Sequence, residues 1–138
     1  MRKNDNLYRI LDANINRLQE GLRVCEDTLR FIIGSYSLAV QFKNLRHRLN
    51  LTIKKLPLDR KTLIRQRNIE EDRGKRTIPL ELKRTNYQDI LYANIQRTKE
   101  STRVLEEFSK LLDKTIAKKF KDIRYKIYEL EKKITLSI

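Results

Sequence analysis

The chain has 138 residues, 39% of them hydrophobic and 36% charged, with a formal net charge of +14. That length holds one domain with its own core, and the balance of apolar and charged residues excludes a disordered tail and suits amphipathic helices. Three glycines and two prolines are too few for a sheet with many tight turns, and a single cysteine excludes an internal disulfide or an all-cysteine metal site.

Residues Leu7, Leu11, Ile15, Leu18, Leu22, Cys25, Leu29 and Ile32 advance in steps of four and three and predict a first helix whose seam faces a core. Cys25 falls on that seam as a small hydrophobe, and a reducing compartment is expected. The N-terminus has no apolar run resembling a secretory signal and no window reaches membrane-span length, so the cytoplasm is the expected location. Leu38, Phe42, Leu45, Leu49, Ile53 and Leu56 predict a second helix, which Pro57 ends. The charged stretch up to Pro79 reads as a connector with one short helix, in which Gly74 is expected to supply a positive φ. Thr85 or Asn86 is expected to cap a third helix. Its seam is partly polar, because Thr98, Thr102 and Ser109 stand where helix one has Leu18, Leu22 and Leu29. Ile116, Phe120, Ile123, Ile127, Leu130 and Ile134 predict the last helix.

The third helix repeats the first. Laying Ile10–Ile32 over Ile90–Leu112 gives ten identical positions of 23, among them Asn14/Asn94, Arg17/Arg97, Glu20/Glu100, Arg23/Arg103 and Glu26/Glu106. With a two-residue slip the second and fourth helices also align, through Ala39/Ala117, Phe42/Phe120 and Arg46/Arg124. The expected fold is an all-α four-helix bundle of two repeated hairpins with pseudo-two-fold symmetry. It forms a single domain over 1–138, with hairpins at about 5–56 and 85–136 and a connector at 57–84.

On a helical wheel Ala13, Arg17, Glu20, Val24, Asp27 and Phe31 form a second stripe beside the apolar seam. Neighbouring charges in and beside it, such as Arg17 with Glu20 and Arg23 with Asp27, are spaced for helix-surface ion pairs. A generic solvated face has no need to repeat Asn, Arg, Glu, Arg and Glu at the same steps, so a specific contact is expected. Two versions stand side by side: arginines paired across the bundle with the other copy's glutamates, or a ligand site in which guanidinium groups grip phosphate and carboxylates hold Mg2+ or accept a substrate proton. Gross charge does not explain the stripe. Residues 10–32 carry four acids and three bases, whereas nine bases face only Asp59 between Lys43 and Arg67. That basic segment is a solvated surface or, in other classes of function, a nucleic-acid or membrane-surface contact. No helix-turn-helix, zinc finger or aromatic platform supports the nucleic-acid reading, and no phosphate-loop or zinc-protease motif occurs. His47, the one histidine, aligns with Tyr125, which argues for an ordinary surface role.

The strings RILDANINRLQEGLRVCEDTLRF, LRHRL, RNIEEDRG at 67–74 and DILYANIQRTKESTRVLEEFSKLL, followed by IRYKIYELE, resemble the helical domain found N-terminal to thiamine-phosphate synthase in some bacteria. The resemblance covers almost the whole chain, which is expected to be that domain standing alone, because 138 residues cannot house the barrel of the synthase. It implies an alternative 4-amino-5-hydroxymethyl-2-methylpyrimidine phosphate kinase using ATP and Mg2+, with the pyrimidine phosphate as substrate. The positions that match the family's motifs are Asn14, Arg17, Glu20, Arg23, Glu26, Asp27, Arg46, Arg67, Asp72, Gly74, Asn94, Arg97, Glu100, Arg103, Glu106 and Arg124. Arg73 and Ser101 depart from the family pattern, where apolar residues are usual. The mechanistic expectation is that Arg17, Arg23, Arg97 and Arg103, with Asn14, Asn94, Arg46, Arg67 and Arg124, bind phosphate or substrate. Glu20, Glu100 and Asp72 are expected to bind Mg2+ or orient the hydroxyl acceptor. The competing expectation is a non-catalytic interaction module whose partner is thiamine-phosphate synthase or a second copy of the chain.

Overall fold

Helix α1 runs from Lys3 to Asp27 in the computed structural model, which describes residues 3–138. Its seam is buried from Leu11 to Leu29, with Leu18, Leu22 and Cys25 wholly inaccessible. Burial among apolar neighbours pushes the Cys25 thiol up to about 12, so it stays neutral. Beyond Asp27 the coil widens into a π-helical turn, Thr28–Ile33, and ends at Gly34 in the left-handed conformation, φ 79°. That turn changes the register of the seam. Three residues after Leu29 an α-helix would return Ile32 to the core, but the wider coil leaves Ile32 49% and Phe31 68% exposed. Gly34 is also the one positive-φ residue among those described, so Gly74 does not play the part expected of it.

Helix α2, Tyr36–Lys54, buries Leu38, Phe42, Leu45 and Leu49, and stops three residues before Pro57. The connector that follows forms α3, Arg60–Arg65, capped by Asp59 and anchored by buried Leu63, then two short 3-10 turns at Arg73–Lys75 and Pro79–Leu82. The short helix thus lies largely ahead of the charged stretch. Helix α4, Tyr87–Ser109, starts at Asn86, whose Oδ1 accepts from the Asp89 amide at 2.8 Å, while Thr85 donates its amide and hydroxyl to the Asp89 carboxylate. Helix α5, Lys114–Ser137, is capped by Asp113 and buries all six residues of its apolar series.

Helix α1 packs on α2 and α4, α4 on α5, and α5 on α2, so four long helices close a ring and the two motif-bearing helices are neighbours. They run antiparallel, since Cys25 Sγ lies 3.9 Å from the Leu91 carbonyl while Leu7 and Ile10 share a hollow with Phe108, Leu111 and Leu112. At the middle of that contact a Cβ on Gly21 would stand 2.8 Å from Thr98 Cγ2, so the glycine sets how closely the backbones approach. The polar seam of α4 is buried in the same region. Thr98 and Thr102 satisfy their hydroxyls on carbonyls of their own helix, at Ile95 and Thr98, which removes the cost of leaving them dry. No helix among the described residues is long and apolar enough to cross a membrane.

Candidate functional site

The charges shared by the two repeats sort into two settings. In the first they are closed inside each hairpin. Arg46 donates from Nε and Nη2 to the two oxygens of Glu26, at 2.9 and 3.3 Å, tying α2 to α1. Arg124 donates from Nε and Nη2 to Oε1 of Glu106, at 3.0 and 2.9 Å, tying α5 to α4, and from Nη1 to the Tyr128 hydroxyl. Burial works against the Arg124 charge, but Tyr128 and Glu106 outweigh it and hold the guanidinium pKa above its ordinary value. Arg46 and Arg124, expected at a phosphate, are therefore committed to these pairs. Arg23 and Arg103 also lie away from the cleft described next. Arg23 is within 3.9 Å of Glu26 and Asp27, and Arg103 within 3.1 Å of Glu107, along their own helices.

In the second setting the charges are open. A cleft of about 490 Å³ between α1 and α4 is lined by Asn14, Arg17 and Glu20 from one repeat and Asn94, Arg97 and Glu100 from the other. Gly21 and Ser101 form its floor, and Gly74 and Glu81 reach it from the connector. Asn14 and Asn94 are buried and donate alike, 2.8 Å to the carbonyls of Ile10 and Ile90. Among the described residues no ion pair engages Arg17, Arg97, Glu20 or Glu100; Arg17 donates only a long bond, 3.4 Å, to Asn14 Oδ1. The cross-bundle pairing of arginine with the other copy's glutamate, one of the two versions expected of the stripe, is thus not formed.

A second cleft, of about 450 Å³, meets the first at Arg17 and Glu20 and lies on the repeat-one side alone. Its far wall is the connector, including Asn68, Ile69 and Asp72. The wall is held by Arg67, whose Nη2 and Nε donate to the two oxygens of Asp12 at 2.7 and 2.8 Å. The hydrogen bond to Asp12 raises the Arg67 pKa. Arg67 is accordingly bound to a carboxylate in this structure. Asp12 carried no signal in the repeat, because its counterpart is Tyr92, which bonds Thr135 at 3.0 Å. Glu81 had none either, sitting in a connector without a repeated partner.

Glu20 is the acid common to both clefts, with Glu100 beside it in one and Asp72 in the other. Among the described residues no three His, Cys, Asp or Glu side chains gather into a ready-made metal set. The donor chemistry suits Mg2+ all the same, since that ion is commonly held by one or two carboxylates together with substrate phosphates and water.

The ThiD2 family matches this chain over residues 9–133, which include every residue lining the first cleft. The chain belongs to the ThiD2 family. Among curated relatives it is 40% identical over 126 residues to the thiamine-phosphate synthase of Nostoc punctiforme, covering 91% of this chain and 34% of that protein. It is also 40% identical to the thiamine-phosphate synthase of Synechocystis, over 91% of this chain and 35% of the relative, and 36% identical to that of Thermosynechococcus vestitus, over 95% and 36%. The ThiD2 chain thus spans about a third of the length of these relatives. No solved structure matches it.

Proposed function

We propose that this ThiD2 domain acts in thiamine biosynthesis by transferring the γ-phosphoryl group of ATP to 4-amino-5-hydroxymethyl-2-methylpyrimidine phosphate, giving the diphosphate and ADP. The observation that carries the reading is the open cleft in which each repeat presents an unpaired arginine and an unpaired glutamate. Phosphoryl transfer is mainly a matter of positioning and neutralising charge, so a site without a phosphate loop can suffice if it supplies both signs. Arg17 and Arg97 are suited to the phosphate oxygens of donor and acceptor. Glu20, with Glu100 or Asp72, is suited to Mg2+, which would neutralise phosphate charge when bound.

The acceptor atom in this reaction is a phosphate oxygen and not the hydroxyl first expected, because a monophosphate becomes a diphosphate only by forming a bond at its phosphate. It is already anionic, so no general base is needed, and the carboxylates are left to the metal. The new bond joins that oxygen to the γ-phosphorus while the bond from the γ-phosphorus to the bridging oxygen of ADP breaks. Incubating the purified protein with ATP, Mg2+ and the pyrimidine monophosphate should yield the diphosphate. No product above that of a Glu20→Ala, Glu100→Ala double variant would sink the reading.

A second reading draws on a different surface. Tyr36 and Val40, 69% and 48% exposed, line one hollow at the start of α2, and Phe31, 68% exposed, lies on the π-helical turn that precedes it. Such apolar exposure suits a protein partner, either thiamine-phosphate synthase or a second copy of the chain. Elution as a lone monomer that fails to retain the synthase would count against it.

A further inference from the structure

We propose that the second cleft is the seat of a nitrogen heterocycle whose phosphate reaches Arg17, so that the two repeats, alike in their phosphate-facing residues, differ in what they read beyond the phosphate. The inference rests on the cleft between α1 and α4 being a phosphate site, as argued above, and adds a subsite that the repeat itself does not contain.

Three features of the second cleft point to a flat ring with polar edges. Its volume, about 450 Å³, lies in the range of small-molecule sites. Ile10 and Ala13 on α1 and Ile69 on the connector give it apolar surface on opposite walls. Each wall also carries an amide that is half satisfied, Asn16 on α1 and Asn68 on the connector. Asn16 donates from Nδ2 to the Asp12 carbonyl and carboxylate, at 3.0 and 3.3 Å, and among the described residues nothing donates to its Oδ1. Asn68 accepts on Oδ1 from the Glu71 amide at 3.2 Å, and among the described residues its Nδ2 has no acceptor. A donor and an acceptor at fixed places beside apolar walls are what the edge of an aminopyrimidine or a purine requires, and Arg17 stands at the junction where a phosphate on that ligand would enter the first cleft.

The subsite exists on one side only because Asp12 anchors the connector. The fork of Arg67 closes on both Asp12 oxygens and brings Asn68 and Ile69 to face α1. In the second repeat Tyr92 replaces Asp12, and exposed Gln96 replaces Asn16. Two phosphorylated ligands meeting across the first cleft would therefore be told apart by this wall.

The test is a calorimetric titration of the whole chain with inorganic phosphate, with the pyrimidine monophosphate and with ADP in the presence of Mg2+, on the wild type and on Asn16→Ala and Asn68→Ala. Loss of one hydrogen bond to the ring should weaken a heterocyclic phosphate by about tenfold and leave inorganic phosphate within about twofold. A loss confined to the pyrimidine monophosphate assigns the subsite to the acceptor, and one confined to ADP assigns it to the nucleotide base. Asn68 lies on the connector away from the core, so its variant keeps the test sound if Asn16→Ala disturbs Asp12. Unchanged affinity for both heterocycles in both variants overturns the subsite, even if diphosphate is still formed. Asparagine-dependent binding without any turnover leaves the subsite standing and removes the kinase. A wild type that binds neither heterocycle removes both.

Discussion

Each hairpin carries glutamate and arginine at matching places twice over, and the two places are built in opposite ways. At Glu106 and Arg124 both side chains are only 8% exposed, and each guanidinium bond is directed at the partner carboxylate or a tyrosine hydroxyl. In the cleft, Arg17, Glu20, Arg97 and Glu100 face water, and among the described residues none of them pairs with an opposite charge. A buried charge without a partner is costly, so the first kind of pair is demanded by the fold itself. A charge left in water carries no such demand. Its recurrence in both repeats therefore calls for a reason outside the fold, and the proposed phosphate ligand would supply one.

The comparison breaks if removing a buried partner proves harmless. Glu106→Ala strands the Arg124 guanidinium and should cost about 3–5 kcal/mol of unfolding free energy in a urea titration. Glu26→Ala should cost less, because the Arg46 side chain is 21% exposed and can turn to water. The close approach of α1 and α4 is tested next. Gly21→Ala should destabilise by about 1–3 kcal/mol through contact with Thr98, and adding Thr98→Ser, which removes the offending Cγ2, should recover much of the loss.

Arg17→Ala and Glu20→Ala should move stability by no more than about 0.5 kcal/mol. Arg17→Ala should also weaken phosphate-bearing ligands by about ten- to a hundredfold, as expected for a charge-assisted contact. A large stability loss in either variant would place these residues with the buried pairs. The smallest effect is expected at the α4 cap. The Thr85 hydroxyl and amide hold the Asp89 carboxyl below the usual range. A depressed pKa contributes stability above the unfolded value of about 3.9, and that contribution is lost as pH falls through the folded value. Asp89→Asn should therefore flatten the fall of the urea midpoint with pH below about 5.

Much of the fold was legible residue by residue. The series Leu11 to Cys25 and Ile116 to Ile134 is buried as its spacing predicts, because burial on one face of a helix is written at a fixed local period. Asn86 caps α4 for a reason equally local, the reach of its Oδ1 to the Asp89 amide. The register of Ile32 was not legible, since it depends on a π-helical turn formed where α1 must bend towards α2. The left-handed glycine fell at Gly34 for the same reason, at the end of that turn.

The candidate site was half legible. Aligning the repeats singles out Arg17 and Glu20 of the cleft together with Glu26 and Arg46 of the hairpin interior, and treats them alike. Only their placement around the ring of helices separates them, because pairing depends on which neighbour each face meets. Asp12 escaped notice since repetition marks what the two halves share, whereas Asp12 makes them differ.

By itself, then, the sequence determined that the chain is helical, that its helices come as a repeated pair and which faces seek a core, because helix periodicity, capping and repetition are properties of neighbouring residues along the chain. Tertiary structure alone decided which of the repeated charges close on each other and which remain open, and that the connector lies along one repeat and not the other. Those outcomes rest on contacts such as Arg67 with Asp12, between residues far apart in sequence, and no local pattern carries the free energy of a partner that only folding brings near.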